Sequence, residues 1–469
     1  MELEEEMFEP VSPMGQYINS SVLSLTILGV LESEIPLHDL QIFSLLRDVF
    51  LPVNSRFSSI MVGDKNGVKK WKKVEVNLKE HVKVPIFPDG MSQEYYDDCL
   101  SNYLSKLGMD PLPQNRPLWE VHIFKYPTSD AAGAIIFKLH HALGDGYSLM
   151  GALLSCLKRT DNPRIPLTFP SHQSGSSSSK LSKGSGVSSI LKRLSGVPSS
   201  FANTVMDFGS SLLKSSFMKD VESPIRSGRE GVEFQPFTMT TMEFSLDHVK
   251  NIKKTLNVTI NDVIAGVILL GSRLYMEGEN KNSSNFNSNA LVLLNTRNLD
   301  GYKSVDEMVK PKTTTPWGNN FAFLHVPIPK LITADLSDPL KFVYETQSTI
   351  KRRRSSAGVW LTSVMLEHLR KFKGPEVTSK FIRNTLINSS ITITNLVGPQ
   401  EKMSLSDHPV KGLYFFVVGS PQSAQITVMS YVGMLRLGIE VEKNFINEYK
   451  FKSCIANAFN MISEAAAVP

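Results

Sequence analysis

Apolar and polar positions recur along the chain with two different periods, one typical of strands and one typical of helices. Short, almost continuous apolar runs predict buried strands in the first third, in "SVLSLTILGVL", "WEVHIFKYP" and "GAIIFKLHH". Apolar residues spaced three and four apart predict helices in "PLHDLQIFSLLRDVF" and "SLMGALLSCLKR". Strands that alternate with helices predict an α/β fold for this part of the chain.

The same alternation returns in the last half of the chain and predicts a second α/β region there. Helices are predicted at Leu246–Leu256, Asn261–Met276, twice between Pro339 and Phe372, and at Glu448–Ala465. Strands are predicted at Thr238–Ser245, in "ALVLLNTR" and "NFAFLHVPIP", and then in "SSITITNL", "GLYFFVVGSP" and "QITVMSYVGMLRLGIEVE".

A break in composition separates the two regions. Ser171–Ser189 is dominated by Ser and Gly, which predicts a flexible linker, and the chain of 469 residues is too long for one core. In Ile190–Phe217, apolar residues lie on one helical face but charges interrupt the run, which favours a helix lying on a membrane surface. A membrane span, and a segment that packs on the protein itself or is mobile, are the alternatives. We therefore divide the chain into residues 1–165, 166–230 and 231–469.

Composition narrows the partners. A formal net charge of +5 suits anionic ligands or lipid headgroups and does not indicate nucleic acid. The basic runs "KNGVKKWKK" and "KRRR" are most simply a solvated hairpin tip and a helix face. Three widely spaced cysteines make a disulfide framework or a zinc site unlikely, and the acidic N-terminus lacks the pattern of a secretory signal. We expect the active part of the protein to face the cytosol.

A histidine pair stands where the apolar run "GAIIFKLHH" stops. Neighbouring strand residues point to opposite faces, so one of His140 and His141 can face a cleft while the other braces the turn. Asp145 can return toward the ring or lock the turn through an arginine, and Gly146 allows close approach of the backbone. A neutral imidazole fixed in this way suits a general base. Two satisfied structural histidines are the simpler alternative, and metal binding lacks nearby ligands.

Four segments in this order resemble one protein family. "HHALGDG" fits the HHxxxDG signature of the chloramphenicol acetyltransferase-like, condensation-type acyltransferases. "RPLWEVHIF", "TINDVIAG" and "ITNLVGP" are similar to the other motifs of the bifunctional wax ester synthase/diacylglycerol acyltransferase family. The Ser-rich insertion and "PWGNNFAFLHVPIP" look more like plant members than bacterial ones. Plant alcohol acyltransferases with a C-terminal DFGWG are a poor fit, because the DFG here is mid-chain.

The resemblance implies a fold and a reaction. Two condensation-domain-like α/β subdomains, with mixed sheets flanked by helices, would meet along a central tunnel. Long-chain acyl-CoA would enter one mouth and a fatty alcohol or diacylglycerol the other. His141 would remove the hydroxyl proton, and no covalent acyl-enzyme, metal or cofactor would be required, because acyl-CoA is a substrate. A related acyltransferase with a different alcohol acceptor and a non-catalytic lipid-binding protein are the alternatives.

The resemblance also assigns roles to other residues, each beside a structural alternative. Asp145 would brace the site through an arginine, for which Arg297 is the candidate. Asn395 or Thr394 would donate to the developing oxyanion, or Asn395 would cap a turn. Asn261 and Asp262 would shape the tunnel floor or cap a helix. Trp119 would pack under the site or line an acyl channel. We expect the protein at the endoplasmic reticulum membrane with its active site facing the cytosol, with the plasma membrane as a second location.

Overall fold

The computed structural model describes residues 9–38, 41–63, 68–169, 218–280, 286–295, 303–304, 317–331, 338–355 and 358–467. The predicted linker Ser171–Ser189, the amphipathic segment Ile190–Phe217 and Arg297 lie outside these residues. The predictions made for them therefore stay predictions.

The described residues form eighteen strands, most of them in two large sheets. The strands are β1 Glu9–Pro10, β2 Thr26–Ser33, β3 Ser59–Gly63, β4 Lys69–Lys73, β5 Val82–Lys83, β6 Trp119–Phe124, β7 Gly133–His140, β8 Lys158–Arg159, β9 Thr168–Phe169, β10 Phe237–Ser245, β11 Asn289–Asn295, β12 Lys303–Ser304, β13 Phe321–Pro327, β14 Ile391–Val397, β15 Met403–Leu405, β16 His408–Val418, β17 Ala424–Tyr431 and β18 Met434–Glu442.

Twelve α-helices lie among the described residues. They are α1 Pro13–Tyr17, α2 Ile42–Leu45, α3 Leu51–Val53, α4 Leu78–His81, α5 Gln93–Met109, α6 Gly146–Ser155, α7 Leu246–Leu256, α8 Ile260–Glu279, α9 Leu340–Ser355, α10 Gly358–Lys373, α11 Pro375–Ile387 and α12 Glu448–Ala467. A π-helical stretch, Leu46–Phe50, joins α2 to α3.

The first large sheet has the strand order β5-β6-β7-β2-β16-β15-β8. Every residue of β2, β6 and β7 is buried, which explains the nearly continuous apolar runs that predicted them. Strand β7 is antiparallel to β2 and ends with His140 opposite Thr26. The end of β7 therefore delivers the histidine pair to one edge of this sheet.

The second sheet has the order β10-β18-β17-β14-β11-β13, with β14 parallel to both of its neighbours. Helices α8 and α12 pack together in the apolar core on one face. Their approach is close, because a Cβ on Gly271 of α8 would lie 2.7 Å from Cα of Ile455 in α12. The α/β class predicted for both halves is confirmed.

The last third of the chain contributes strands to both large sheets. Strands β15 and β16 belong to the last third of the chain but complete the first sheet, where Phe416 of β16 pairs with Leu28 of β2. Strand β17 follows β16 directly and returns to the second sheet. The predicted boundaries at 165 and 231 therefore do not divide the sheets, because strand pairing ignores position along the chain.

Other predictions also need correction. "QITVMSYVGMLRLGIEVE" forms the hairpin β17–β18 and not a single strand, because Val432 and Gly433 turn the chain with positive φ angles of 43° and 76°. Helices α5 and α11 were not predicted. No single described helix is long and apolar enough to cross a membrane, and α7 with α8 reaches that criterion only as a pair bent by 100°.

Candidate active site

Asn319 orients the ring of His141. The Asn319 amide nitrogen donates to the backbone carbonyl of His141 at 2.9 Å, so the amide oxygen faces the ring, where it lies 2.8 Å from Nδ1. An amide oxygen can only accept a hydrogen bond, and Nδ1 must therefore carry the ring proton. In the neutral ring this leaves Nε2 as the nitrogen that can accept a proton.

The surroundings keep the ring of His141 neutral. His141 begins a short 3-10 helix at the end of β7, and its backbone N–H donates to the Leu25 carbonyl at 2.8 Å. Burial lowers the pKa of His141 below its ordinary value, and the neighbouring Asp145 charge and the Asn319 hydrogen bond oppose this shift only in part. A neutral, oriented imidazole results.

His140 occupies the bracing position of the histidine pair. Its Nδ1 accepts from the backbone N–H of Ala142, and its Nε2 lies 3.1 Å from the hydroxyl of Ser24. The ring is 1% exposed, and burial lowers the pKa of His140 to about 3. This ring caps the 3-10 turn, as expected for one member of a pair on opposite faces of a strand.

Asp145 connects the histidine turn to the loop that carries Asn319. One carboxylate oxygen accepts from the backbone N–H of Ser148 at 3.1 Å and caps α6. The other accepts from the backbone N–H of Asn320 at 2.9 Å. These contacts with backbone amides fit a brace, and the predicted partner Arg297 lies outside the described residues.

The loop Trp317–Asn320 is the part of the site that the sequence did not predict. The Trp317 indole N–H donates to the Leu143 carbonyl at 2.7 Å, and the hydroxyl of Ser148 bonds the backbone of Gly318. This loop precedes β13 at the edge of the second sheet. The site is therefore assembled from both sheets.

A narrow cavity of about 110 Å³ lies beside His141. The residues that the first sheet, its flanking segment and β13 contribute to the lining include the apolar Leu25, Ile27, Phe321, Phe323, Phe415 and Val417. The second sheet and the loop before β17 add the polar Thr392, Thr394, Asn395, Ser420 and Gln425 beside the apolar Leu293, Leu294 and Leu396. We call this the histidine cavity. Gly146 also lines it, and a Cβ there would come no closer than 3.5 Å to Leu396.

A second cavity of about 700 Å³ adjoins the histidine cavity. Residues shared by the two linings are Tyr147, Leu293, Leu294, Asn295, Asn395 and Leu396. Asn261 and Asp262 line only the second cavity, where the Asn395 amide donates to the side-chain oxygen of Asn261. Asp262 also forms a capping box with Thr259, so it both caps α8 and borders the cavity.

Trp119 does not line either of these cavities, and its prediction as a substrate-binding residue needs correction. Its side chain is 0% exposed, and its indole N–H donates to the Phe57 carbonyl at 2.8 Å. The ring stacks on His81 with centroids 4.1 Å apart. The packing alternative describes it, because a large aromatic ring with a satisfied N–H belongs in a core.

Known structures with a similar fold define the class of protein. The structure resembles the wax ester synthase/diacylglycerol acyltransferase from Marinobacter aquaeolei VT8 with a TM-score of 0.59 and 13% identity, over 98% of this chain and 100% of that chain. The starter condensation domain of rhizomide synthetase gives a TM-score of 0.53 with 10% identity, over 98% and 94%. The chain therefore has the condensation-type fold that these two structures share.

The sequence defines the family within this class. Residues 54–264 match the wax ester synthase/diacylglycerol acyltransferase catalytic domain, and residues 317–463 match the WS/DGAT C-terminal domain. Wax ester synthase/diacylglycerol acyltransferase 4 from Arabidopsis thaliana is 30% identical over 95% of this chain and 88% of its own length. The chain belongs to the wax ester synthase/diacylglycerol acyltransferase family and is an acyltransferase, which confirms the resemblance found in the motifs.

Proposed function

We propose that the protein transfers a fatty acyl group from acyl-CoA to the hydroxyl of a long-chain fatty alcohol or of diacylglycerol, with His141 as the general base. The hydrogen bond between Asn319 and Nδ1 of His141 carries this proposal. It leaves Nε2 ready to accept a proton in a residue that lines a cavity. General bases of this kind typically contribute about 10²–10⁴-fold to the rate.

The proposed reaction needs no covalent intermediate with the enzyme. Nε2 of His141 takes the hydroxyl proton as the alcohol oxygen attacks the thioester carbonyl carbon. The tetrahedral intermediate then collapses, the carbon–sulfur bond breaks, and the imidazolium returns the proton to the departing CoA sulfur. The products are an ester and free CoA. Holding both substrates together lowers the barrier, and no cofactor takes part, because acyl-CoA supplies the activated group.

The polar side chains in the lining of the histidine cavity suit the charge that develops on the carbonyl oxygen. Asn395 donates one amide N–H to the side chain of Asn261, and its primary amide has a second N–H that can donate to substrate. The hydroxyl of Thr394 lines the same cavity. We propose that these two groups stabilise the oxyanion, a role for which loss of one donor costs about 3 kcal/mol in other enzymes.

The apolar linings support fatty substrates. The second cavity is bordered by many aliphatic side chains, among them Val292, Leu294, Leu324, Ile393 and Val428. Its volume of about 700 Å³ lies within the range of about 300–1,000 Å³ that is usual for ligand sites. The Arabidopsis thaliana relative is named for both wax ester synthase and diacylglycerol acyltransferase activities.

We further propose that Ile190–Phe217 attaches the protein to the cytosolic face of the endoplasmic reticulum membrane. Its sequence places Phe201, Val205, Phe208 and Leu212 on one helical face. Deleting this segment should move the protein from the membrane pellet to the supernatant after centrifugation. Unchanged pelleting would contradict the assignment.

A transfer assay tests the central proposal. Membranes containing the wild-type protein should convert labelled palmitoyl-CoA to ester with hexadecanol or diacylglycerol, and His141→Ala should reduce the rate by about 10²–10⁴-fold. His368→Ala, an exposed histidine on α10, is the matched control and should keep the wild-type rate. Equal ester yields from wild type and His141→Ala would overturn the proposed base.

A further inference from the structure

A run of four cations, Lys351 to Arg354, lies near the C-terminal end of α9, and the three arginines are in its last turn. Lys351 and Arg354 are one helical turn apart, so they project from the same side of the helix. Both line the second cavity, whereas Arg352 is exposed but does not line it, and Arg353 is buried. The run is therefore split between a pair that borders the cavity and a pair that does not.

The charge of the cavity-lining pair has no compensating partner among the described residues. Neither Lys351 nor Arg354 has a carboxylate from these residues within salt-bridge distance. Among the described residues that line the cavity, the one carboxylate belongs to Asp262, and it accepts a hydrogen bond from the backbone of Thr259. Cations in a last helical turn also interact with the helix dipole, but that effect does not distinguish residues by the direction they face.

The rest of the cavity is mostly apolar and leads toward the site. Aliphatic side chains such as Ile264, Ile350 and Val428 border it, and it shares Asn395 and Leu396 with the histidine cavity. An apolar cavity with two cations on one side complements an amphiphile that has a long apolar part and an anionic head. Lys and Arg are the side chains that proteins use most often to bind phosphate groups.

We propose that Lys351 and Arg354 bind the phosphate groups of acyl-CoA, so that the acyl donor approaches His141 through the second cavity. The inference rests on the proposed function, because it assigns the donor of that reaction to one of the two cavities. It leaves the histidine cavity to the hydroxyl-bearing acceptor.

Direct binding tests the inference without depending on turnover. A non-hydrolysable thioether of palmitoyl-CoA and the corresponding palmitoyl-pantetheine, which lacks phosphates, are titrated into the full-length protein. The double variant Lys351→Ala/Arg354→Ala should bind the CoA analogue about tenfold more weakly or worse. A charged hydrogen bond is worth about 1.5–3 kcal/mol, and a loss of about 1.4 kcal/mol lowers the affinity tenfold. Affinity for the pantetheine analogue should stay unchanged.

Charge-matched variants make the result specific. Arg352→Ala removes the same charge from the next position and should leave both affinities unchanged, while Lys351→Arg should keep most of the affinity for the CoA analogue. High salt should weaken the binding of the CoA analogue to the wild type more than its binding to the double variant. Equal losses for both analogues, or an effect of Arg352→Ala as large as that of the double variant, would overturn the inference.

An anionic lipid is the other source of a phosphate head. Vesicles of phosphatidylcholine with and without phosphatidic acid are sedimented with wild type and the double variant. Unchanged binding to both kinds of vesicle is the result expected. If the double variant lost phosphatidic acid binding but kept its affinity for the CoA analogue, the cations would serve a lipid and the inference would be wrong. Ester synthesis by the wild-type protein tests the proposed function separately.

Discussion

At the scale of single residues, Asn319 has the most specific effect on chemistry. Asn319 is an uncharged partner that fixes the tautomer of the His141 ring. A carboxylate in its place would add a negative charge and raise the pKa of His141 further. The low pKa of His141 that results from burial is thereby retained. Burial therefore favours the unprotonated form of the base.

Replacing Asn319 by Asp should shift the pH dependence of the reaction. The carboxylate still accepts from Nδ1–H, but its charge stabilises the imidazolium and raises the pKa of His141. Activity, which requires the neutral ring, should therefore be lost at higher pH than in the wild type as the solution is acidified. The measurement is kcat/KM for ester formation across pH 5–9, a profile that reports the free enzyme.

Asn77→Asp is the control for this prediction, because Asn77 is an exposed cap of α4 that is not among the residues lining either cavity, and Asp is an equally good cap. The fall of kcat/KM at low pH should occur at the same pH for this control variant as for the wild type. If it also occurred at the same pH for Asn319→Asp, Asn319 would not control the protonation of the base.

Glu440 predicts a second pH effect, on stability. It lies opposite Gln425 in the β17–β18 hairpin, 2% exposed, and burial raises its pKa well above the ordinary value. The native state keeps this proton, whereas the unfolded chain releases it above about pH 4.3. Stability contributed by the protonated group is therefore present at low pH and decreases as pH rises.

Glu440→Gln should remove this dependence, because glutamine has nearly the same shape and cannot ionise. The variant should match the wild type near pH 4.5 and exceed its urea midpoint at pH 8. Glu464→Gln, at an exposed position of α12, supplies the comparison and should leave the difference between the two pH values unchanged. A lower midpoint for Glu440→Gln at pH 8 would contradict a neutral carboxyl group.

The sequence located half of the candidate site. HHxxxDG identified His141, because the two histidines, the aspartate and the glycine are local and their spacing is informative. Asn319 is 178 residues away from His141 and follows no periodic pattern, so its contact depends on the tertiary fold. Trp119 illustrates the reverse case: it lies in a motif and was considered for an acyl channel, but it belongs to the core beneath the site.

At the scale of secondary structure, the joint between the two sheets depends on Gly438. Thr427 of β17 donates to the Phe415 carbonyl of β16, and a Cβ on Gly438 would lie 2.7 Å from that same carbonyl oxygen. Such a contact cannot be relieved by rotating a side chain, because one partner is backbone. Glycine at this position lets the sheets approach.

Gly438→Ala should therefore destabilise the protein by about 1–3 kcal/mol, the usual cost of overpacking. Gly29→Ala in β2 is the matched control, since its Cβ would meet nothing closer than 3.9 Å, and it should change stability much less. Urea unfolding of the two variants measures the difference. Equal urea midpoints for the two variants would show that the close approach of the sheets does not depend on Gly438.

Individual elements were more predictable than their boundaries and pairing. Apolar runs identified β2, β6 and β7, where burial on both faces leaves little ambiguity. The hairpin β17–β18 was misread because its Val–Gly turn carries no strong turn signature and both strands are apolar. Helix α5 has weaker amphipathic patterning, with tyrosines in place of aliphatic residues on part of its buried face.

At the scale of the whole molecule, strand exchange ties the two halves together. Beyond the β16–β2 ladder, Arg436 of β18 reaches Glu32 of β2 at 2.5 Å and also contacts Glu243 of β10. The chain should therefore stay assembled when it is cut between the halves. No sequence pattern predicts such an exchange, because it depends on which strand edges meet.

A protease site inserted after Ser189 tests this expectation. The two pieces should co-elute in gel filtration after cleavage and separate only in denaturant, because backbone hydrogen bonds of β2 continue across the cut. The piece that ends at Ser189, expressed alone, should aggregate through the unpaired edge of β2. Separation of the cleaved pieces in native buffer would contradict the shared sheet.

The late position of β16 has a consequence for biosynthesis. Strand β2 leaves the ribosome early, but its neighbour on one side is translated only near the end, at Val418. At about 5–20 residues per second, the nascent chain waits on the order of 20–80 s with that edge uncovered. We expect chaperones to occupy the emerging chain during this interval, and synonymous codons that slow translation between Val53 and Met403 to lower the yield of assembled enzyme.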